Sequence, residues 1–144
     1  MKLSFIVPAW NEEALIGATI ASIQSSSSAF DYEIIVADDA SDDRTSEIAK
    51  EMGAIVVLCN NRQIGPTRND GAKVATGDIF IFTDADTIVS EAVVKETVEA
   101  IQNGAIAGGS FPTFEEDTVL LARILTPVLR FVFYLKGLAA GAYM

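Results

Sequence analysis

Short apolar runs alternate with amphipathic stretches along most of the chain. Residues 3–7 (LSFIV) end at Pro8 and read as a buried strand. Asn11 suits a helix cap, with Glu12 and Glu13 in a first turn where the dipole favours acids. That helix is expected to run to about Gln24, with Ile16, Ile20 and Ile23 on one face. Residues 33–37 (EIIVA) form a second expected strand, leading into Asp38 and Asp39. A helix follows over Asp42–Met52, stopped by Gly53, and residues 54–59 (AIVVLC) form a third strand. After a loop over Asn60–Gly65, Pro66 starts a helix that ends near Gly77. Residues 79–83 (IFIFT) are the fourth strand and deliver Asp84-Ala85-Asp86 at its end. Ser90 caps a helix from Glu91 to Gln102, and a further strand is expected to begin at 105–107.

This alternation predicts an α/β fold with parallel strands and helices on both faces. Ligands of such sheets bind beyond the carboxyl ends of the strands. Asn11 and Glu12, Asp38 and Asp39, and Asp84 and Asp86 should therefore share one rim.

Charge sharpens the picture. The 144 residues carry a net charge of −10 and no histidine. Nucleic-acid binding is excluded, because phosphate contacts need clustered Lys and Arg. The same acidity means that an anionic ligand needs a local cation or a metal. All 20 acidic residues precede residue 119, whereas Arg123, Arg130 and Lys136 lie beyond it with no acid among them. Cys59 is the only cysteine, so an intrachain disulfide and a cysteine-based zinc site are both excluded. A single thiol and the lack of a signal-peptide pattern at residues 1–8 fit a cytoplasmic location.

Asp84-x-Asp86 is the first candidate for chemistry. Two carboxylates on a loop after a strand converge readily on one hard cation, whose remaining positions go to water and phosphate oxygens. An Asx-rich turn is the structural alternative. Asp39 can accept an N–H from a base, or can cap the next helix. Arg68 can offset the acids or contact a nucleotide, or can form a surface ion pair. Trp10 can stack on a ring, or pack half-buried. Cys59 reads as core.

The blocks VPAWNEE at 7–13, ADDASDDRT at 37–45, Asn60-x4-Gly65 followed by PTRNDGA at 66–72, and GDIFIFTDAD at 77–86 occur in this order. Together they resemble family 2 of the glycosyltransferases, over about residues 3 to 110. The resemblance implies a GT-A-like nucleotide-binding layer with a mostly parallel mixed sheet. It implies a nucleoside-diphosphate sugar donor, commonly linked to UDP. Pro8, Ala9, Trp10 and Glu12 would line the base and ribose site, and Asp39 would hydrogen-bond the base. Arg68 would lie near base and diphosphate. Asp84, Ala85 and Asp86 would complete the donor site, with Asp84 and Asp86 holding Mg²⁺ or Mn²⁺. Trp10 stands where the family more often has tyrosine, and Ala40 replaces the usual glycine after the Asp pair.

The resemblance also implies inverting transfer, in which a carboxylate base deprotonates the acceptor, a saccharide or a lipid. Glu115, Glu116 and Asp117 are the last acids and fall earlier than such a base would. The chain is thus expected to be a nucleotide-sugar-binding α/β domain over 1–117, followed by an apolar cationic helical segment over 118–144 that begins an incomplete acceptor part. A non-catalytic nucleotide- and metal-binding fragment without its base is the alternative. A nucleotidyltransferase would need a Gly-rich basic loop near the N-terminus, which VPAWNEE is not. The 118–138 segment is expected either to lie at the inner face of a membrane or to pack on the acceptor part, with a homodimer through it as a further expectation.

Overall fold

A computed structural model describes residues 1–108. The elements are β1 (Lys2–Ala9), α1 (Ile16–Ser26), β2 (Asp31–Asp38), α2 (Thr45–Glu51), β3 (Ile55–Leu58), α3 (Ile64–Val74), β4 (Ile79–Phe82) and α4 (Glu91–Gln102). The four described strands form one sheet in the order β3-β2-β1-β4, every neighbouring pair parallel. Met1–Val98 make one compact unit, and Glu99–Gly108 lie outside it. The boundary expected at 117/118, the segment 118–144 and the three late acids lie outside the described residues.

Side chains alternate along the strands, and both sheet faces are buried. Phe5 and Val7 of β1 lie beside Ile34 and Val36 of β2, and all four are at least 94% buried. Ile6, Ile35 and Ala37 are fully buried on the opposite face, under α3. Right-handed crossovers explain the layering. The steps β1-α1-β2 and β2-α2-β3 run one way along the sheet, so α1 and α2 share a face. The step β3-α3-β4 runs back past β2 and β1, so α3 takes the other face. Gly71 lets α3 sit close, since a Cβ there would lie 2.8 Å from Ile6 Cγ2 and 3.3 Å from the Ala37 Cβ.

Pro8 lies in a central strand, where a missing N–H usually breaks a ladder. The Thr83 N–H donates to the Ile6 carbonyl, so even-numbered residues of β1 direct their backbone groups toward β4. Pairing with β4 ends at Ile6–Phe82, two residues before Pro8. The proline therefore removes no ladder bond. It stands where β4 leaves β1 and the strand order reverses, the place where open α/β sheets bind ligands.

Several expected boundaries move. The first helix begins at Ile16, not after Asn11, because the β1–α1 loop is clasped to the β2–α2 loop. Asn11 adopts φ 55°. Its N–H donates to Ser41 Oγ (2.9 Å) and its Oδ1 accepts from the Asp42 N–H (2.9 Å). The Glu12 N–H donates to Thr45 Oγ1 (2.8 Å) and the Glu13 N–H to Asp43 Oδ2 (3.0 Å). The same clasp holds Asp42 and Asp43 out of α2, which starts at Thr45. Helix α3 starts at Ile64, with Pro66 inside its first turn, where an N–H would have no intrahelical acceptor. It ends at Val74, before Gly77. The strand expected at 105–107 is absent: these residues form no strand, and Ile106 is 97% exposed.

Candidate donor-binding site

The rim at the carboxyl ends of the strands divides into two parts. The first is a cavity of about 340 Å³ lined by Pro8, Ala9, Trp10, Asp39, Arg62, Gln63, Ile64 and Thr67. Strand β1 carries Pro8 and Ala9 to it, and the Asp39 N–H donates to the Ala9 carbonyl (2.8 Å), fixing the two strand ends side by side. Asp39 is 7% exposed. Burial pushes its carboxyl up. Hydrogen bonds from the backbone N–H groups of Asn61 and Arg62, from the Thr67 hydroxyl and from the Gln63 N–H outweigh that, and hold it below the usual carboxylate range. The Asn61 N–H lies 2.6 Å from Oδ1. Asp39 is thus an ionised acceptor in a largely apolar cavity, suited to a ring N–H.

Asp38, its neighbour, points elsewhere. It is 2% exposed and accepts from the Ser41 N–H (3.0 Å) and the Ser46 hydroxyl, so it organises the turn into α2. Ala40 between these loops adopts φ 58°. That is the left-handed conformation which glycine takes freely and L-residues resist.

The second part is acidic. Arg68 on α3 reaches Asp84 after β4, Nη2 to Oδ1 2.6 Å, with the arginine side chain 13% exposed and the aspartate 42%. Arg68 Nε is buried and has no hydrogen-bond partner among the described residues. Ala85 is buried, and its carbonyl accepts from Thr19 Oγ1 of α1 (2.6 Å), which anchors the turn between the two aspartates. The Thr87 N–H closes that turn on the Asp84 carbonyl (3.2 Å). Asp86 is exposed. Glu12 belongs to this part and not to the cavity lining: burial raises its pKa, and the charges of Asp86 and Asp43 raise it further.

The sequence-predicted residues therefore fall into two sets. Pro8, Ala9, Trp10 and Asp39 share the cavity, while Arg68, Asp84 and Asp86 with Glu12 make the acidic part. A divalent ion fits the donor chemistry of the second set. Asp86 is exposed, and the repulsion felt by Glu12 marks surplus negative charge there. Among the described residues no group of three or more His, Cys, Asp or Glu could hold a metal alone. Two carboxylates plus phosphate oxygens are the usual arrangement for Mg²⁺-type ions.

The family model of glycosyl transferase family 2 matches residues 4–140. The chain belongs to that family. Dolichol-phosphate mannosyltransferase of Pyrococcus furiosus is 36% identical over 116 residues, covering 76% of this chain and 33% of that protein. The Mycobacterium tuberculosis glucosyl-3-phosphoglycerate synthase, solved with Mn²⁺, UDP and glucosyl-3-phosphoglycerate, is similar with a TM-score of 0.64 and 30% identity. That likeness covers 92% of this chain and 51% of the synthase. S. aureus TarS 1-349, in complex with UDP-GlcNAc, is similar with a TM-score of 0.63 and 27% identity over 87% of this chain and 42% of that one. The chain thus spans about a third of the mannosyltransferase and about half of the synthase. These neighbours are GT-A glycosyltransferases, and the α/β layer described above is the one they share.

In this family member the sequence reading missed one wall of the cavity. Asn60–Gly65 reads only as a loop, yet Arg62, Gln63 and Ile64 line the cavity opposite β1. Nothing in the spacing signals this, because Trp10 and Arg62 meet only after the strands pair. Among the described residues no helix is long and apolar enough to cross a membrane.

Proposed function

We propose that this chain binds a nucleoside-diphosphate sugar, linked to UDP, for inverting glycosyl transfer to a saccharide or lipid acceptor. The division of the rim carries this reading: an apolar cavity holding an ionised acceptor lies beside an acidic patch crossed by one arginine. The cavity is at the small end of the range for ligand sites, about 300–1,000 Å³. It suits a base and ribose, with the diphosphate and sugar outside it. Asp39 accepts the ring N–H, and Trp10 offers a π face.

Asp84 and Asp86 would hold Mg²⁺ or Mn²⁺. The ion supplies neutralisation of the diphosphate and stabilisation of the leaving group. Arg68 keeps Asp84 oriented through its Nη2 and sets one cation beside the aspartate pair. Thr19 holds the backbone of Ala85, so the two aspartates keep a fixed spacing. The mannosyltransferase among the relatives bears a lipid-phosphate name, which supports a lipid as one acceptor class.

Calorimetry with UDP, with and without Mn²⁺, tests the donor reading. Metal-dependent binding is expected, and its absence would sink it. A transfer or sugar-hydrolysis assay then separates a transferase from a module that only holds the nucleotide.

A further inference from the structure

Arg62 is a cavity-lining cation that the chain does not spend on a carboxylate. Lys2, Arg44, Arg68, Lys73 and Lys95 each form an ion pair, whereas Arg62 forms none among the described residues. Its guanidinium lies instead over the ring of Trp10, 5.6 Å from the centroid. Trp10 is 55% exposed and Arg62 is exposed, so the contact is a weak one at the cavity mouth. The backbone around Arg62 is well fixed. Residue 62 adopts φ 54°, and its N–H is among the donors that hold Asp39 ionised. One residue thus joins the buried acceptor and the exposed aromatic of the same cavity.

The spacing shows what a bound ring would have to do. Flat groups stack at about 3.5 Å, so a ring between indole and guanidinium needs about 7 Å. The present separation is 5.6 Å. The arginine therefore occupies the place of a stacked ring, and a short swing of its flexible side chain would admit one. A guanidinium stacks on aromatic faces through its own plane. The cation that meets the Asp84–Asp86 turn is Arg68, not Arg62.

Resting on the reading that a base occupies this cavity, we infer that Arg62 is a positioning residue for the base: it moves off Trp10 and covers the ring from the solvent side. The base is then held between indole and guanidinium, with Asp39 at its edge.

The full chain tests this with uridine and UDP, each with and without Mn²⁺, by calorimetry and by the emission of Trp10, the only tryptophan. Arg62→Ala is expected to weaken uridine and UDP by the same factor, about 3- to 10-fold, as befits one stacking contact. The effect of Mn²⁺ on UDP should stay as in the wild type. Arg62→Lys should recover only part of the loss, since an ammonium cannot lie flat on a ring. Arg62→Gly, which suits the φ of 54°, should match the alanine variant and so exclude a distorted loop as the cause. In the ligand-free variants Trp10 emission should shift, because its cation is gone. Unchanged or tighter uridine binding by Arg62→Ala would overturn the assignment, as would a loss confined to UDP. If wild-type chain fails to bind UDP with Mn²⁺, the donor reading itself has failed, which is a different result from a wild type that binds and an Arg62 variant that binds equally well.

Discussion

The two ends of the sheet treat buried and half-buried acids in opposite ways. At the amino end, Glu33 is ringed by donors. Lys2 Nζ reaches it at 2.7 Å, Ser4 Oγ at 2.6 Å and the Thr76 N–H at 2.6 Å, with the Thr76 hydroxyl adding to them. Burial raises its pKa, but those donors bring it down to about 2. At the carboxyl end, Glu12 faces Asp86 and Asp43, and its pKa is raised. The first acid locks the turn after α3 onto β1 and β2. The second is one of a group left with more negative charge than the chain neutralises. An electrostatic surplus held in place by hydrogen-bonded loops is what a cation-assisted ligand site requires. At the amino end the donors around Glu33 match its charge, and these polar groups serve stability.

The largest contrast should come from Asp86→Asn. On the proposed function it removes one metal-binding carboxylate, and UDP affinity in Mn²⁺ should fall by roughly 100-fold, about 3 kcal/mol. Calorimetry reads that loss, while thermal unfolding of the ligand-free chain should not move downward, since one repulsive charge has gone. A drop in melting temperature alongside the affinity loss would break the contrast.

Glu33→Gln should act in the reverse sense, with the binding site intact and the fold weakened. A carboxyl lowered from 4.5 to about 2 contributes stability that is present above pH 4.5 and lost as pH falls toward 2. The shift corresponds to about 3 kcal/mol at neutral pH, and the side chain is only 10% exposed. Urea unfolding across pH 2–7 should show the wild type losing this stability on acidification and the variant showing a flatter limb.

Gly71→Ala should cost about 1–3 kcal/mol despite the better helix propensity of alanine, because the new methyl meets Ile6 beneath α3. Since Arg68 and Thr67 ride on that helix, UDP affinity should fall with it. Ala40→Gly is expected to stabilise by about 0.5–1 kcal/mol by relieving φ 58°. Glu12→Gln should have the smallest effect, a gain of a few tenths of a kcal/mol near neutral pH. A raised carboxyl pKa means the folded chain disfavours the charged form, so the sign is opposite to that at Glu33.

Most of the architecture is legible in the residue pattern. The four apolar runs appear as four strands because each is bounded by Pro, Asp or Gly and is too short for a helix. Helix starts are less legible. Asn11 has the right side chain for a cap, but its Oδ1 goes to Asp42 on another loop. Local preference cannot foresee a partner 31 residues away. The expected strand at 105 has the right composition, yet residues 105–107 form no strand. For the site, Asp39 and the Asp84–Asp86 pair stand out as acids at strand ends, while Arg62 does not.

The sequence by itself determined the alternation of strand and helix, the family, and which acids stand at the ends of strands. These follow from local periodicity and from residue types at fixed spacing. Only the tertiary structure decided how those acids divide. Parallel pairing of β1 with β2 brings Ala9 to Asp39, and the crossover back to β4 brings Arg68 to Asp84. The left-handed turn at residue 62 lays its guanidinium over Trp10. Each of these is a contact between residues far apart in the chain, set by strand order and close packing and invisible to any local pattern.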